Sequence, residues 1–476
     1  MTTIGRLPAF STLSEPLLAF SATDRRSVHR HPLMGLKQFG PFTSNSMSRF
    51  TPKVRVAIVG PDSAKDQRRD LFRSLQKKHS AQDRSGYVPD YPGFSDLFRL
   101  DLAPAPAVAQ LALPESLATD VDPTDRVYDA MRSALSALDA VRDQFDVAVF
   151  HLPDAWSDGL RTEDFDAHHV LKGLAAPLGI PTQVLNDRTF QFELAASRSW
   201  RLGIATYVKG GGVPWKLAPL DGVPPDSAYV GLAYGFRGNP RNAEFVTCCS
   251  QVFDADGGGM QFVAYDARDV DDIEAVRRNP YLSRDDMRAV LAQSLELYQR
   301  RNGGRTPRRI VIHKTTAFTE GELEGALDAL AAVPEVECIN ITPQVAWRGV
   351  WLKASRDRTR KSEPDNYPVR RGTMVPLSGS QGLLWIAGNV EGVSTRGSYF
   401  QGGKSIPSPV LFERQAGRGS LDLAALEILA LSKMDWNNDA LYDPAPVTIR
   451  YSQRLATTIA QVPSLPRAAY PYRMFM

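Results

Sequence analysis

Three short apolar runs, KVRVAIVGP (53–61), FDVAVFHLPD (145–154) and IPTQVLN (180–186), constrain this chain most, because segments with helical spacing separate them. Continuous Val/Ile runs read as strands buried on both faces, the condition of a parallel sheet. SAKDQRRDLFRSLQKKHS and EDFDAHHVLKGLAAPLG are the intervening helices. Strand, helix, strand, helix, strand is the order of a doubly wound α/β domain with its binding crevice at the strand ends. Beyond DGVPPDSA the pattern changes. YVGLAYGF, EFVTCCSQVFD and MQFVAYDARD form a meander, then come SRDDMRAVLAQSLELYQRRNG as a helix, RRIVIHKTT as a strand, TEGELEGALDAL as a helix and VECINITP as a strand. Ser283 is the expected N-cap of the first of these helices. The order β-β-β-α-β-α-β predicts an RNase H-like domain.

At 476 residues the chain exceeds one ordinary domain. The divisions expected are an arm or linker over 1–50, a Rossmann-like domain over 51–220 and the RNase H-like domain over 221–476. Net charge is only +3, so a nucleic-acid surface has to be local rather than global. Two segments concentrate cations, RRNGGRTPRR (300–309) and KASRDRTRKSEPDNYPVRR (353–371), and are read either as solvated faces or as phosphate-tracking surfaces. Cys248, Cys249 and Cys338 make neither a disulfide framework nor a metal quartet, which suits a reducing cytoplasm. No apolar run approaches the length of a membrane span.

The chemistry concentrates in four residues. His168 and Lys172 lie four apart and share one helix face, Gln183 falls in the next strand, and Lys209 precedes three glycines in YVKGGGVPWKL. Singly each has a dull explanation. Together they supply cations, an amide and a glycine turn at what is expected to be the C-terminal end of the parallel sheet, a phosphate site. A metal on the His168–His169 pair is not expected, since helix neighbours point about 100° apart and no third ligand is evident.

These residues resemble the MID–PIWI half of an Argonaute, and specifically a short prokaryotic Argonaute. The family's MID pocket carries an aromatic-x-x-x-Lys pair, a Gln after a Gly-Ile-Pro/Ser step, and a Lys before Gly-Gly-x-Pro-Trp. Here these read His168 (in place of the usual tyrosine), Lys172, Gln183 after GIPT, and Lys209 in KGGGVPW. EPLLAFSATDRRSVHRHPLMGLKQFGPF is similar to the linker before MID, and KMDWNNDALYDPAPVTIRYSQRLA with YPYRMFM to the close of PIWI.

The resemblance implies a guide strand held by its 5′ phosphate, with Mg²⁺ between that phosphate and a terminal carboxylate on Met476. It implies no cleavage: the nuclease positions read Ala233, His313 or Lys314, and Tyr451 or Ser452, where two-metal chemistry needs carboxylates. The degenerate set is taken as Ala233, Lys314 and Tyr451. It further implies a guide RNA, a single-stranded DNA target, a cytoplasmic role in defence, and a partner protein with an APAZ domain. That partner would carry a sirtuin-like effector, or a Toll/interleukin receptor-like one, that consumes NAD. The competing expectation is an active guide-dependent endonuclease using Asp254, Asp256, Asp266 and Asp269.

Overall fold

The computed structural model describes residues 9–43, 53–82, 87–118, 121–237, 244–258, 261–265, 281–343, 345–355, 359, 361–390, 393, 406–437, 442–462 and 469–476. The first domain is built on a parallel sheet, and all three apolar runs enter it as strands Lys53–Pro61, Val147–His151 and Thr182–Leu185. Its far edge is divided: Asp101–Pro104 pairs with the first half of Lys53–Pro61, and Gln110–Leu113 with the second. Helix Lys65–Leu75 follows the first strand, Ala167–Ala175 follows Val147–His151, and Ala195–Lys209 follows Thr182–Leu185.

The second domain has the predicted β-β-β-α-β-α-β order. Ser227–Arg237, Glu244–Asp254 and Gln261–Tyr265 form the antiparallel meander, while Arg309–Lys314 and Glu335–Thr342 add in parallel on the other side of Ser227–Arg237. Helix Arg284–Arg301 is capped as expected, the Ser283 hydroxyl accepting the Asp286 N–H at 3.2 Å. Helix Glu320–Ala329 starts from a Thr319/Glu322 capping box. The mixed α/β class expected from the sequence is the one observed.

Patterning alone did not predict the sheet's extensions. Val410–Ala416, Gln381–Leu384 and Thr373–Pro376 lengthen it to one side, ending on Ser11–Thr12, and Ala469–Pro471 covers the other edge. The described part of the expected arm, residues 9–43, is thus built into the fold: Ser11–Thr12 joins the large sheet, and Leu18–Ala19 pairs with both Val28–His29 and Lys216–Leu217. Glu15, from the same segment, is buried between Arg371 and Lys433, at 3.0 Å and 2.7 Å.

Helix Val447–Ala460 lies across strand Ser227–Arg237. Gly231 permits this approach, because a Cβ there would enter the Thr448 backbone.

Candidate guide-binding site

Asp166 caps helix Ala167–Ala175 by accepting the His168 N–H at 3.0 Å, which sets the first turn and the direction of His168. One turn on, Lys172 is 5% exposed, and its ammonium donates to the main-chain oxygens of Phe475 at 3.1 Å and Met476 at 2.9 Å. Lys209 is the last residue of helix Ala195–Lys209, is 1% exposed, and donates to Thr182 O at 2.7 Å and Gln183 Oε1 at 2.6 Å. The glycines after it reverse the chain, with Gly211 at φ +99°. Trp215 then buries its indole and donates to Lys433 O at 3.1 Å, fastening the crossing into the second domain.

His168, Lys172, Gln183, Lys209 and Met476 therefore meet along one seam between the two domains, but at the opposite end of the sheet from the one expected. Thr182 and Gln183 open their strand, and the residue after Lys209 packs on Val54 near the start of strand Lys53–Pro61. Lys172 and Lys209 reach the amino ends because their helices run back from the carboxyl ends of the strands they follow.

Electrostatics makes the cluster unusual. Burial, with Arg454 nearby, lowers Lys172 to about 7. Burial and then Lys172 push Lys209 well below its ordinary value. Burial also holds His168 well below its ordinary value, helped by Lys172, His169, Lys209 and Arg454. Among the described residues, neither lysine has a side-chain carboxylate as a hydrogen-bond partner. Asp166 offsets only part of the shift at Lys172, so the two buried ammonium groups still favour an incoming anion. Arg454 was missed in the sequence, although it lies one helical turn from Tyr451.

The depressed lysine gives a pH prediction. An unfolded Lys172 keeps its proton to about 10.5, a folded one only to about 7. Between those values the unfolded state binds more protons, so unliganded stability rises with pH from about 7 to 10.5 by up to about 1.4 kcal/mol per unit. A bound phosphate monoester should flatten this rise by holding the proton on Lys172. Thermal midpoints across that range, with and without a 5′-phosphorylated oligonucleotide, measure the effect.

For a divalent ion, Met476 supplies one buried main-chain oxygen, already held by Lys172. That donor set fits an ion whose remaining ligands are phosphate oxygens and water, as Mg²⁺ accepts. The third ligand absent from the sequence reading of His168–His169 does exist: ligand atoms of Asp166, His168 and His169 lie within 4.8 Å of one another. His169 Nδ1 is engaged with Thr458 at 2.9 Å, and Lys172 and Arg161 add positive charge beside His169. A bare dication is disfavoured there.

At the nuclease positions, Ala233 packs in an apolar cluster with Ala176, Leu455, Ala456, Ile459, Met474 and Phe475. Lys314 lies on the opposite face of the sheet, closed in a bidentate pair with Glu322 and ringed by Tyr234, Tyr281 and Phe318. The residue of that strand facing helix Val447–Ala460 is His313, whose Nδ1 meets Thr448 Oγ1 at 2.8 Å. Tyr451 points away into a buried chain, receiving Tyr472 and donating to Asp435. Ser452 bonds Thr448 O at 2.6 Å within its own helix.

Of the rival carboxylates, Asp254 pairs in register with Ala228, five residues along the strand from Ala233, or about 17 Å. Asp256 is held by Lys216 at 2.6 Å. Asp266 and Asp269 lie outside the described residues, as do the side chains of Cys248 and Cys249. The 300–309 segment is largely paired internally: Arg300 with Glu296 at 2.6 Å, Arg308 with Glu335 at 3.6 Å, and Arg309 buried against Glu427. In 353–371, Lys353 reaches Glu363 at 3.5 Å and Arg371 is buried, while 356–358 and 360 lie outside the described residues.

The fold thus defined, a parallel α/β domain seamed to an RNase H-like one, is shared with solved structures of Argonaute proteins. Clostridium butyricum Argonaute bound to a guide DNA (5′ deoxycytidine) and a 19-mer target DNA superposes with a TM-score of 0.67 at 14% identity, covering 98% of this chain and 54% of that one. Aa-Ago with externally bound siRNA gives a TM-score of 0.59 at 13% identity, over 98% of this chain and 56% of that one. The chain therefore spans about half the length of each. No family model and no curated protein matches the sequence.

Proposed function

We propose that this chain acts as a short Argonaute: it holds a small guide strand by the guide's 5′ phosphate and captures a complementary single-stranded target by base pairing. The observation that carries this reading is the pair of buried lysines, Lys172 and Lys209, facing one seam with no side-chain carboxylate bonded to either among the described residues. Lys172, Lys209 and Gln183 would contact phosphate oxygens, and His168 would stack on the first base. Mg²⁺, when bound, would neutralise phosphate charge beside Met476 and be held by a terminal carboxyl group there. A guide RNA and a DNA target follow the resemblance of the pocket motif. Extracting the nucleic acid that co-purifies with the chain and determining its sugar and 5′ chemistry tests this; a population lacking 5′ phosphates would refute it.

The reading includes binding without cleavage. Ala233 is 6% exposed among apolar side chains, where a metal-binding carboxylate would be stripped of water. No guide-dependent product is expected with Mg²⁺ or Mn²⁺. Ala233→Asp should stay inactive and lose about 3–5 kcal/mol of stability, the scale of an uncompensated buried charge. A stable variant that cuts target would contradict both expectations.

A binder without cleavage needs another component to report capture. The proposed component is a cytoplasmic APAZ-domain partner bearing a sirtuin-like, or alternatively Toll/interleukin receptor-like, NAD-consuming effector for defence against invading DNA. Co-expression should yield a complex of defined stoichiometry that loses NAD only with guide and complementary target together; NAD loss independent of target would rule this out.

A further inference from the structure

Between strands Glu335–Thr342 and Thr373–Pro376 the chain leaves the large sheet as a separate two-stranded ribbon, Val350–Ala354 paired with Ser362–Pro368. Its root is anchored: Val369 N–H donates to Gly349 O at 3.2 Å, and Val345 packs with Val369, Leu383 and Trp385. Its outer part is not. Leu352, Lys353 and Ala354 are exposed, while Trp351 meets Phe10 edge-on at 5.9 Å between ring centres. The point of departure matters. Leu232, Lys314 and Asn340 are in register across three parallel strands, so the ribbon rises from the carboxyl ends that also carry Ala233 and Lys314.

Trp347, at the root, is the anomaly. A tight turn, with Trp347 N–H donating to Val345 O at 2.8 Å, leaves the side chain 59% exposed. Tryptophan is ordinarily well buried, with its indole N–H paired. Among the described residues no aromatic ring stacks on this indole and no acceptor meets its Nε1–H. Arg348 folds back beside it, its Nη1 donating to Trp347 O at 2.8 Å. The surroundings are basic. Among the described side chains of 345–370, Arg348, Lys353, Lys361 and Arg370 are exposed cations, and the one acidic residue, Glu363, is paired with Lys353 at 3.5 Å. Lys361 stands at the outer end of the ribbon and Arg370 at its root, which spaces the charge along its length.

We infer that Trp347 is a stacking platform for an unpaired base of a bound nucleic-acid strand, with Arg348, Lys361 and Arg370 meeting its phosphates. An open ring face with cations set beside it is the general form of a single-strand surface, because every base offers a π-face and every linkage a charge. The core of a protein–protein interface is instead depleted of charge, whereas these three cations have no carboxylate partner among the described residues. The strand's identity as guide or target rests on the proposed function; the stacking contact does not.

The test uses the full chain, stripped of co-purifying nucleic acid, and a 3′-labelled oligothymidylate ending in a 5′ hydroxyl. Trp347→Ala should weaken binding about fivefold or more, the factor one stacked base contributes, and Trp347→Phe should recover most of it. Arg348→Gln with Arg370→Gln should flatten the slope of log affinity against log salt by about 0.7 per contact removed. All three side chains are exposed, so thermal midpoints should stay in place. A 5′ phosphate on the same probe should strengthen binding equally in the parent and in Trp347→Ala; no gain in the parent would refute the guide site and leave the ring contact standing. With guide loaded, unpaired extensions placed in turn on guide and target assign the strand, since the one on the ring tightens the parent complex and not that of Trp347→Ala. Unchanged oligothymidylate affinity in Trp347→Ala, Trp347→Phe as weak as Trp347→Ala, or neither extension tightening the parent complex would overturn the assignment. So would a Trp347→Ala chain that keeps the probe and loses a co-expressed protein partner.

Discussion

The double variant Lys172→Ala, Lys209→Ala is expected to bind a 5′-phosphorylated guide about 10²- to 10⁴-fold more weakly than the parent chain. Each lysine would contribute a charge-assisted hydrogen bond worth about 1.5–3 kcal/mol, and every 1.4 kcal/mol is about tenfold in affinity. The same guide ending in a 5′ hydroxyl should lose far less, because it brings no dianion to the seam. Removing the lysines relieves their burial but leaves Phe475 O, Met476 O, Thr182 O and Gln183 Oε1 without these donors. The thermal midpoint of the variant, and its binding of the 5′-hydroxyl guide, separate lost binding from lost folding. Equal losses for the two guides, measured by fluorescence anisotropy, would move the phosphate elsewhere.

Glu15→Gln should destabilise the fold as strongly as Ala233→Asp, and far from the guide site. Glu15 sits between the Arg371 guanidinium and the Lys433 ammonium, all three buried. Burial works to raise the Glu15 carboxyl, but Arg371 and Lys433 outweigh it and hold the group below its ordinary value. The amide keeps the shape and removes the charge, stranding two cations at a cost of about 3–5 kcal/mol. Because the folded carboxyl is the more acidic, its contribution is present above about pH 4.5 and is lost as pH falls through the lower folded value. Denaturant unfolding of the parent should show this loss on acidification, and Glu15→Gln should lack that component. A variant within about 0.5 kcal/mol of the parent would mean that the two cations are otherwise satisfied.

Glu15 also marks the limit of what could be read from the chain alone. The strands Lys53–Pro61, Val147–His151 and Thr182–Leu185 were legible because Val and Ile runs buried on both faces have no other common use. The meander and the two helices of the second domain were legible from their turn signals and periodicity, with Ser283 read as a cap; the Thr319 capping box emerged only in the structure. The seating of residues 9–43 was not, since Ser11–Thr12 and Leu18–Ala19 are two-residue strands whose pairing is set by partners hundreds of positions away.

At the site, the residue types were readable from spacing, but their place at the amino ends of the sheet was not. That depends on where a helix ends in space, and Lys209 is simply the last residue of its helix. Lys314 and Ala233 fall near each other in any reading of strand ends, yet the two-residue alternation of a strand sends them to opposite faces. Asp166 could have been suspected beside His168 and His169, because an N-cap two residues before a histidine is brought toward it by the first helical turn.

The central claim is that a 5′ phosphate completes the seam lined by the buried Lys172 and Lys209. The most direct measurement is the affinity of the parent chain, stripped of co-purifying nucleic acid, for one oligonucleotide carrying either a 5′ phosphate or a 5′ hydroxyl. The account predicts that the phosphate strengthens binding by about a hundredfold or more, with protons taken up from the buffer above pH 7 as Lys172 is recharged. Equal affinities for the two ends, with no proton uptake, would contradict it.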